Sequence, residues 1–437
     1  MKNERLRFVV IGVTDCPQPF FPPEVLAVIR RGRVFSGGRR HHEIVASLLP
    51  AGAEWIDITV PLDAVFERYH DEVVVFASGD PLFFGFANTI RRRLPDAAIR
   101  LFPAFNSLQL LAHRLLLPYH DMRIVSLTGR PWPELDRALI ERTGKIGVLT
   151  DREHTPAAMA LRMLEYGYTY YNIYVGEHLG HPALERVSQL TLEAASQRHF
   201  EHPNCVILVA HGEHGMPVGK PRRFGIPDSE FALLDGREKM ITKMPIRLLT
   251  LQALDLPCRR VLWDIGACTG SVSIEARLQF PGLQVEAFEI RPECDAIIRE
   301  NMRRHGAPGI GVHIGDFLND SALSPQPSNQ VSGFRFQVSR CKEPQLSTLN
   351  SQLSTLRPDA VFIGGHGGRL KDIMAKVLHY LTDDGCIVMN SVKAPKVLTD
   401  SHQLWDEACR ELNLRQEPPL YVELNEHHPI TILKCRK

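Results

Sequence analysis

Short apolar runs alternate with stretches in which apolar residues return every three or four positions, and this rhythm continues along most of the chain. The runs at 7–12, 34–36, 54–59, 72–77 and 99–102 read as buried strands. Between them, 23–31, 42–49 and 83–94 carry helical spacing. Beyond Leu117-Pro118 the pattern resumes, with strands near 123–127, 145–150, 169–175 and 205–210. Apolar strands separated by helices predict an α/β fold with largely parallel sheets, covered on both faces.

Two segments break the rhythm. His211-Gly-Glu-His-Gly-Met-Pro-Val-Gly-Lys-Pro221 follows a strand and is rich in Gly and Pro. It predicts a linker over 212–225 between domains at 1–211 and 226–437. Residues 321–356 are rich in Ser, Gln and Pro, and Gln345-Leu-Ser-Thr-Leu is repeated from Gln352. Two units are too few for a solenoid, so this reads as a low-complexity surface insertion, with a lid as the alternative.

The second domain carries the more informative loop. A strand at 261–263 runs into Asp264-Ile-Gly-Ala-Cys-Thr-Gly270, and helical spacing follows over 272–280. A further strand ends at Glu289, about 20 residues beyond the turn, the offset of an acidic side chain that holds a ribose hydroxyl pair. A dinucleotide loop needs three glycines, and here only Gly266 and Gly270 flank Cys268. That pattern favours a nucleoside site without phosphates, with S-adenosylmethionine (SAM) the obvious candidate. A plain strand-to-helix turn is the other reading. In the first domain the run from Val73 delivers Ser78-Gly-Asp-Pro81 to a strand's carboxyl end, where open α/β sheets bind ligands. There Gly79 permits close approach, Asp80 can accept hydrogen bonds and Pro81 directs the exit, although such turns are also a common structural device.

Composition removes several function classes. The 51 basic and 50 acidic side chains nearly cancel, without the basic excess of a nucleic-acid protein. No stretch approaches the roughly 18 apolar residues that span a bilayer, and no signal peptide is evident. The nine cysteines form no C-x-x-C pair, which predicts free thiols in a reducing cytoplasm. Among the 19 histidines, the pairs His178/His181, His199/His202 and His211/His214 have helical spacing. They sit beside Pro or Gly, so no metal site is expected.

Motif order adds a resemblance. Gly225-Ile-Pro-Asp-Ser-Glu-Phe231, Met240-Ile-Thr-Lys-Met-Pro-Ile-Arg247, the loop at 264–270 and Asp359-Ala-Val-Phe-Ile-Gly-Gly-His-Gly-Gly368 stand in sequence. Together they resemble the methyltransferase half of the fused precorrin-6Y C(5,15)-methyltransferase (decarboxylating) family. That family usually has Gly where this chain has Cys268, and Glu where it has Pro245. Phe35-Ser-Gly-Gly-Arg-Arg-His41, Ser78-Gly-Asp-Pro81, Asn106-Ser107, Val125-Ser-Leu-Thr-Gly-Arg-Pro131, Leu149-Thr-Asp151 and Gly176-Glu-His178 likewise resemble the tetrapyrrole methylase family over residues 7–210. Here Gly12-Val-Thr-Asp-Cys-Pro-Gln-Pro19 replaces that family's Gly-rich first loop.

The resemblance implies a two-lobed tetrapyrrole methylase fold, with lobes near 1–118 and 119–211, followed by a Rossmann-like SAM-dependent methyltransferase fold. It implies SAM contacts at Gly12, Gly79, Asp80, Pro81, Ser107 and Thr128 in the first domain. In the second, Asp264, Gly266, Ala267, Gly270 and Ser271 would line the methionine side, Glu289 the ribose and Asp316 the adenine. Thr242, Lys243, Gly364 and Gly365 are the expected substrate contacts; a glycine-rich turn opening a helix suits carboxylates. The implied reaction is methylation of a precorrin-type tetrapyrrole at carbons 5 and 15, with loss of carbon dioxide. No catalytic residue is identified. A homo-oligomer is expected, with neither nucleic acid nor membrane as partner. A methyltransferase pair on another metabolite, a nicotinamide oxidoreductase lacking its third glycine, and a non-catalytic ligand-binding protein remain as alternatives.

Overall fold

The computed structural model describes residues 6–211, 223–319, 357–392, 401–423 and 429–437. The expected insertion at 321–356 and most of the expected linker lie outside the described residues. The chain divides into two compact units, one N-terminal and one C-terminal.

The N-terminal unit holds two five-stranded sheets. In the first, β1 (Arg7–Val13), β2 (Val34–Gly37), β3 (Glu54–Asp57), β4 (Glu72–Ser78) and β5 (Ala98–Phe102) run parallel in the order β3-β2-β4-β1-β5. The two-residue period of a strand sends side chains of β1 to opposite faces. Val9, Ile11 and Val13 pack with Val25, Val28 and Ile29 of the helix Pro23–Arg31. Phe8 and Val10 pack on the other face with Val65, Tyr69, Ala87 and Ile90. The strand order reverses direction between β1 and β4, so their carboxyl ends open a crevice of the kind that holds ligands in such sheets.

The second sheet overturns the expectation of parallel pairing. Strands β6 (Arg123–Ser126), β7 (Lys145–Leu149), β8 (Tyr171–Glu177), β9 (Arg186–Leu190) and β10 (Asn204–Ala210) order as β6-β7-β10-β8-β9. Only β6 and β7 pair in parallel. The segment between β8 and β9 holds no helix to carry the chain back across the sheet, and a short return can only place strands antiparallel. Sequence spacing missed β9 because its exposed, polar positions do not read as a strand. The helix Ser107–Arg114 packs Leu108, Leu111 and Ala112 against Cys205 and Ile207 of this sheet.

The C-terminal unit is built on β11 (Val261–Ile265), β12 (Gln284–Glu289), β13 (Ile310–Ile314), β14 (Ala360–Ile363), β15 (Cys386–Val392), β16 (Arg415–Gln416), β17 (Leu420–Val422) and β18 (Ile430–Arg436). The order is β13-β12-β11-β14-β15-β18-β16, with β17 also on β18. The first five strands are parallel and β18 closes antiparallel on β15. Trp263, Phe288 and Phe317 meet edge to face within one core cluster.

A buried ion pair ties the segment before this sheet to the helix that follows the loop. Glu275, in the helix Ser271–Gln279, accepts from the N–H groups of Gly225 (3.2 Å) and Ile226 (2.9 Å) and from Arg247 Nε (3.2 Å). Arg247 also donates to Asp228 Oδ1 (3.1 Å) and the Thr242 carbonyl (2.8 Å). Both side chains are fully buried. Two of the separated sequence motifs therefore meet the helix that follows the 264–270 loop in one network. Removing one partner leaves an uncompensated charge, so Arg247→Met is expected to destabilise the C-terminal unit by about 3–5 kcal/mol in denaturant unfolding. A loss below about 1 kcal/mol would show that the network is not what holds these segments.

Candidate functional site

Two strand-end loop systems emerge, one in each unit. In the N-terminal unit, β1 and β4 end on backbone pressed against backbone. A Cβ at Gly12 would lie 1.9 Å from the Gly79 carbonyl oxygen and 2.6 Å from Ala104 N. Gly79 itself has φ +60°. Asp80 Oδ1 accepts from Leu82 N (2.8 Å), closing the turn that Pro81 leaves. Gly79, Ser107 and Thr128 line a pocket of about 580 Å³, whereas Gly12, Asp80 and Pro81 hold the loop behind it. Ser107 opens its helix beside Asn106, whose side chain caps Gln109 N at 2.9 Å. Thr128 donates to the Thr150 carbonyl (3.1 Å). Phe76, Phe83, Phe84, Phe86 and Phe105 give the pocket aromatic walls.

Sequence reading did not foresee the polar cluster on this wall. Arg40 bridges Asp15 Oδ1 (2.8 Å) and Ser78 Oγ (2.9 Å), while Asp15 Oδ2 meets His178 Nδ1 (2.8 Å). His41 Nε2 lies 2.9 Å from Ser78 Oγ. Burial and the neighbouring Arg40 lower the His41 pKa to about 4. Its ring is therefore neutral at physiological pH. The Arg-Arg-His run was visible, but its partners lie 25 and 37 residues away along the chain.

In the C-terminal unit the loop after β11 meets the loop after β14. A Cβ at Gly266 would sit 2.6 Å from Gly365 N, and Gly364 N donates to the Ile265 carbonyl (2.8 Å). The structure thus brings expected cofactor and substrate loops together. Gly266 N and Ala267 N both donate to the Phe288 carbonyl (2.8 and 3.1 Å). Cys268 adopts φ +51°, the left-handed region that favours glycine. Gly270 caps the helix that begins at Ser271. Thr242 and Lys243 lead into the helix Met244–Ala253, and Lys243 Nζ lies 3.9 Å from Asp228. Pro245, in the first turn of that helix, is exposed, a place where its fixed φ is tolerated.

Two of the three expected cofactor carboxylates of this unit are occupied by arginine. Glu289 Oε1 accepts from Arg291 N (3.0 Å) and Nε (2.8 Å); Oε2 accepts from Cys268 N (2.8 Å) and Arg291 Nη2 (3.0 Å). Four donors fill the four acceptor positions of the carboxylate. Asp316 is bidentate with Arg369, at 2.8 and 3.2 Å, which holds its pKa below the usual range. Arg291 was not singled out from sequence, although it lies two residues from the expected acid Glu289.

Asp264 differs from both. One oxygen accepts from Ser273 Oγ (2.6 Å), and the buried Oδ1 has no hydrogen-bond partner among the described residues. An orphaned carboxylate oxygen in a glycine-lined loop fits the cationic ammonium of SAM. Burial raises the Asp264 pKa from 3.8 to about 6. The folded state then holds this proton more tightly than the unfolded chain. Its contribution to stability is full below pH about 4 and is lost as pH rises through about 6, with a span on the order of 3 kcal/mol. Asp264→Asn is expected to flatten that fall in unfolding measurements across the same window; an unchanged profile rules it out.

Comparison with known proteins follows this division. Residues 11–196 match the model for tetrapyrrole (corrin/porphyrin) methylases, and residues 235–333 match that for the precorrin methyltransferase domain. A Sinorhizobium protein named precorrin-6Y C(5,15)-methyltransferase [decarboxylating] is 32% identical over 94% of this chain and 91% of its own. A Salmonella typhi cobalt-precorrin-6B C(15)-methyltransferase (decarboxylating) is 30% identical over 47% of this chain and 93% of its own. A Salmonella typhimurium cobalt-precorrin-7 C(5)-methyltransferase is 25% identical over 46% and 97%. The chain belongs to the precorrin-6Y C(5,15)-methyltransferase (decarboxylating) family.

Proposed function

We propose that the chain methylates a precorrin-type tetrapyrrole at carbons 5 and 15 and removes carbon dioxide from the ring C acetate, in cobalamin biosynthesis. The N-terminal unit takes carbon 5, and the C-terminal unit takes carbon 15 with the decarboxylation. The observation that carries this reading is the presence in one chain of two separate strand-end loop systems, each joined by a glycine contact that admits no Cβ. Relatives named for the C(5) and the C(15) reaction each cover about half of the chain. We read domains at 1–211 and 226–437, joined by 212–225, in a cytoplasmic homo-oligomer. No helix among the described residues is long and apolar enough to cross a membrane.

When bound, SAM supplies a methyl group already activated as a sulfonium, so the protein's share is alignment and a dry cleft. In the N-terminal unit the Gly12–Gly79 contact sets the loop position and the phenylalanine walls exclude water. In the C-terminal unit Asp264 would face the ammonium. Glu289 would accept the ribose hydroxyls once Arg291, about one-third exposed, turns toward solvent. A reduced tetrapyrrole carbon is enamine-like and nucleophilic, and the conjugated ring nitrogens supply an electron sink for decarboxylation.

Asp80→Ala is expected to weaken SAM only at the first site, and Glu289→Ala only at the second. The second change costs about 10- to 150-fold in affinity, the range for a hydrogen bond to a charged group, and the first acts through the turn that Asp80 closes with Leu82 N. The Asp80 variant should release a singly methylated product that has lost carbon dioxide. The Glu289 variant should keep the carboxylate and lack the carbon 15 methyl. Mass spectra showing one common intermediate would contradict the division. Cutting at about residue 218 should give two pieces that each bind SAM; failure of both to fold refutes the proposed boundary.

A further inference from the structure

The wall of the N-terminal pocket contains a hydroxyl whose donor direction is fixed by its neighbours. Ser78 ends β4 immediately before Gly79, and its side chain is exposed in the pocket. Gly38 N donates to His41 Nδ1 (3.2 Å), which makes that nitrogen the acceptor and leaves the ring proton on Nε2. His41 Nε2 therefore donates to Ser78 Oγ, 2.9 Å away. Arg40 Nη2 donates to the same oxygen at 2.9 Å. A hydroxyl oxygen has two lone pairs and one proton. Both lone pairs of Ser78 are taken, so its O–H is left to donate into the pocket.

What the hydroxyl faces must be an acceptor, and the surroundings select its charge. Arg40 polarises Ser78 and is itself held by Asp15. A second cation, Arg130, lies over the Phe84 ring at 5.1 Å on the same pocket lining, with no carboxylate partner among the described residues. The rest of the lining mixes five phenylalanines and aliphatic residues with Asp15, which Arg40 holds, and with uncharged polar side chains such as Asn106, Ser107 and Thr128. A neutral acceptor brings charge to only one side of a bond with a guanidinium; a carboxylate brings the opposite charge, and its two oxygens match the arginine fork.

We propose that Ser78, oriented by His41 and charged through Arg40, is the carboxylate-binding point of the N-terminal pocket. This rests on the functional reading above, which brings two carboxylates to the pocket: an acetate or propionate of the macrocycle, and the methionine carboxylate of SAM. His41 is a positioning residue, since it acts only through Ser78.

The test uses the full chain with Ser78→Ala, Ser78→Thr and Arg40→Gln. S-adenosylhomocysteine binding is followed by calorimetry, and precorrin binding by absorbance titration with that nucleoside present. Ser78→Ala is expected to weaken one ligand about tenfold or more, and Ser78→Thr to restore it. Loss confined to the precorrin assigns the macrocycle's carboxylate; loss of the nucleoside at the first site assigns the methionine carboxylate. Unchanged affinity for both overturns the proposal. Nucleoside binding at the second site reports that the variants are folded. A wild-type chain that binds no precorrin defeats the functional reading instead, and the nucleoside titration alone then decides the role of Ser78.

Discussion

Backbone-to-backbone contact between strand-end loops is the constraint on which both sites depend. Gly12 against Gly79, and Gly266 against Gly365, bring loops together at distances where no side chain fits at Gly12 or Gly266. In each case the pair joins the two strands flanking the point where the sheet reverses its order, β1 with β4 and β11 with β14. A crevice at that point exists in any such sheet. Its depth and the position of its polar groups follow from how closely the loops approach. Core packing, the buried Arg247–Glu275 pair and the capping of the following helices serve to hold those loops in place.

The two sites present different sets of charged groups on similar frameworks. The N-terminal pocket presents the Arg40–Asp15 pair, Arg130 without a carboxylate partner among the described residues, and the neutral His41. The C-terminal loops present carboxylates, of which Glu289 and Asp316 are covered by arginine and Asp264 is left half-paired. The arginines neutralise buried or partly buried acids that would otherwise repel one another. On the proposed reading, a nucleoside takes the place of the Arg291 side chain at Glu289. Affinity at the second site therefore reflects a difference between two good sets of hydrogen bonds rather than the strength of one.

Much of this was legible in the sequence where the information is local. Strands β1 to β8 and β10 to β12, the turn at 264–270 and the Ser78-Gly-Asp-Pro81 turn all follow from apolar runs and punctuating glycines. The antiparallel arrangement of the second sheet was not legible, because β9 is an exposed edge strand without an apolar run. The occupancy of Glu289 by Arg291 was also hidden: spacing identifies an acid at a strand end but not what it pairs with before a ligand arrives. The Ser78 cluster joins the end of β4 to the helix Arg39–Val45 and to Asp15, and only the folded chain shows that Arg40 and His178 share Asp15.

The central claim is that one chain carries two independent nucleoside sites. Titrating the full-length protein with S-adenosylhomocysteine in a calorimeter tests it most directly. The account predicts two equivalents bound per chain. A single equivalent per chain, at concentrations that saturate binding, would contradict it.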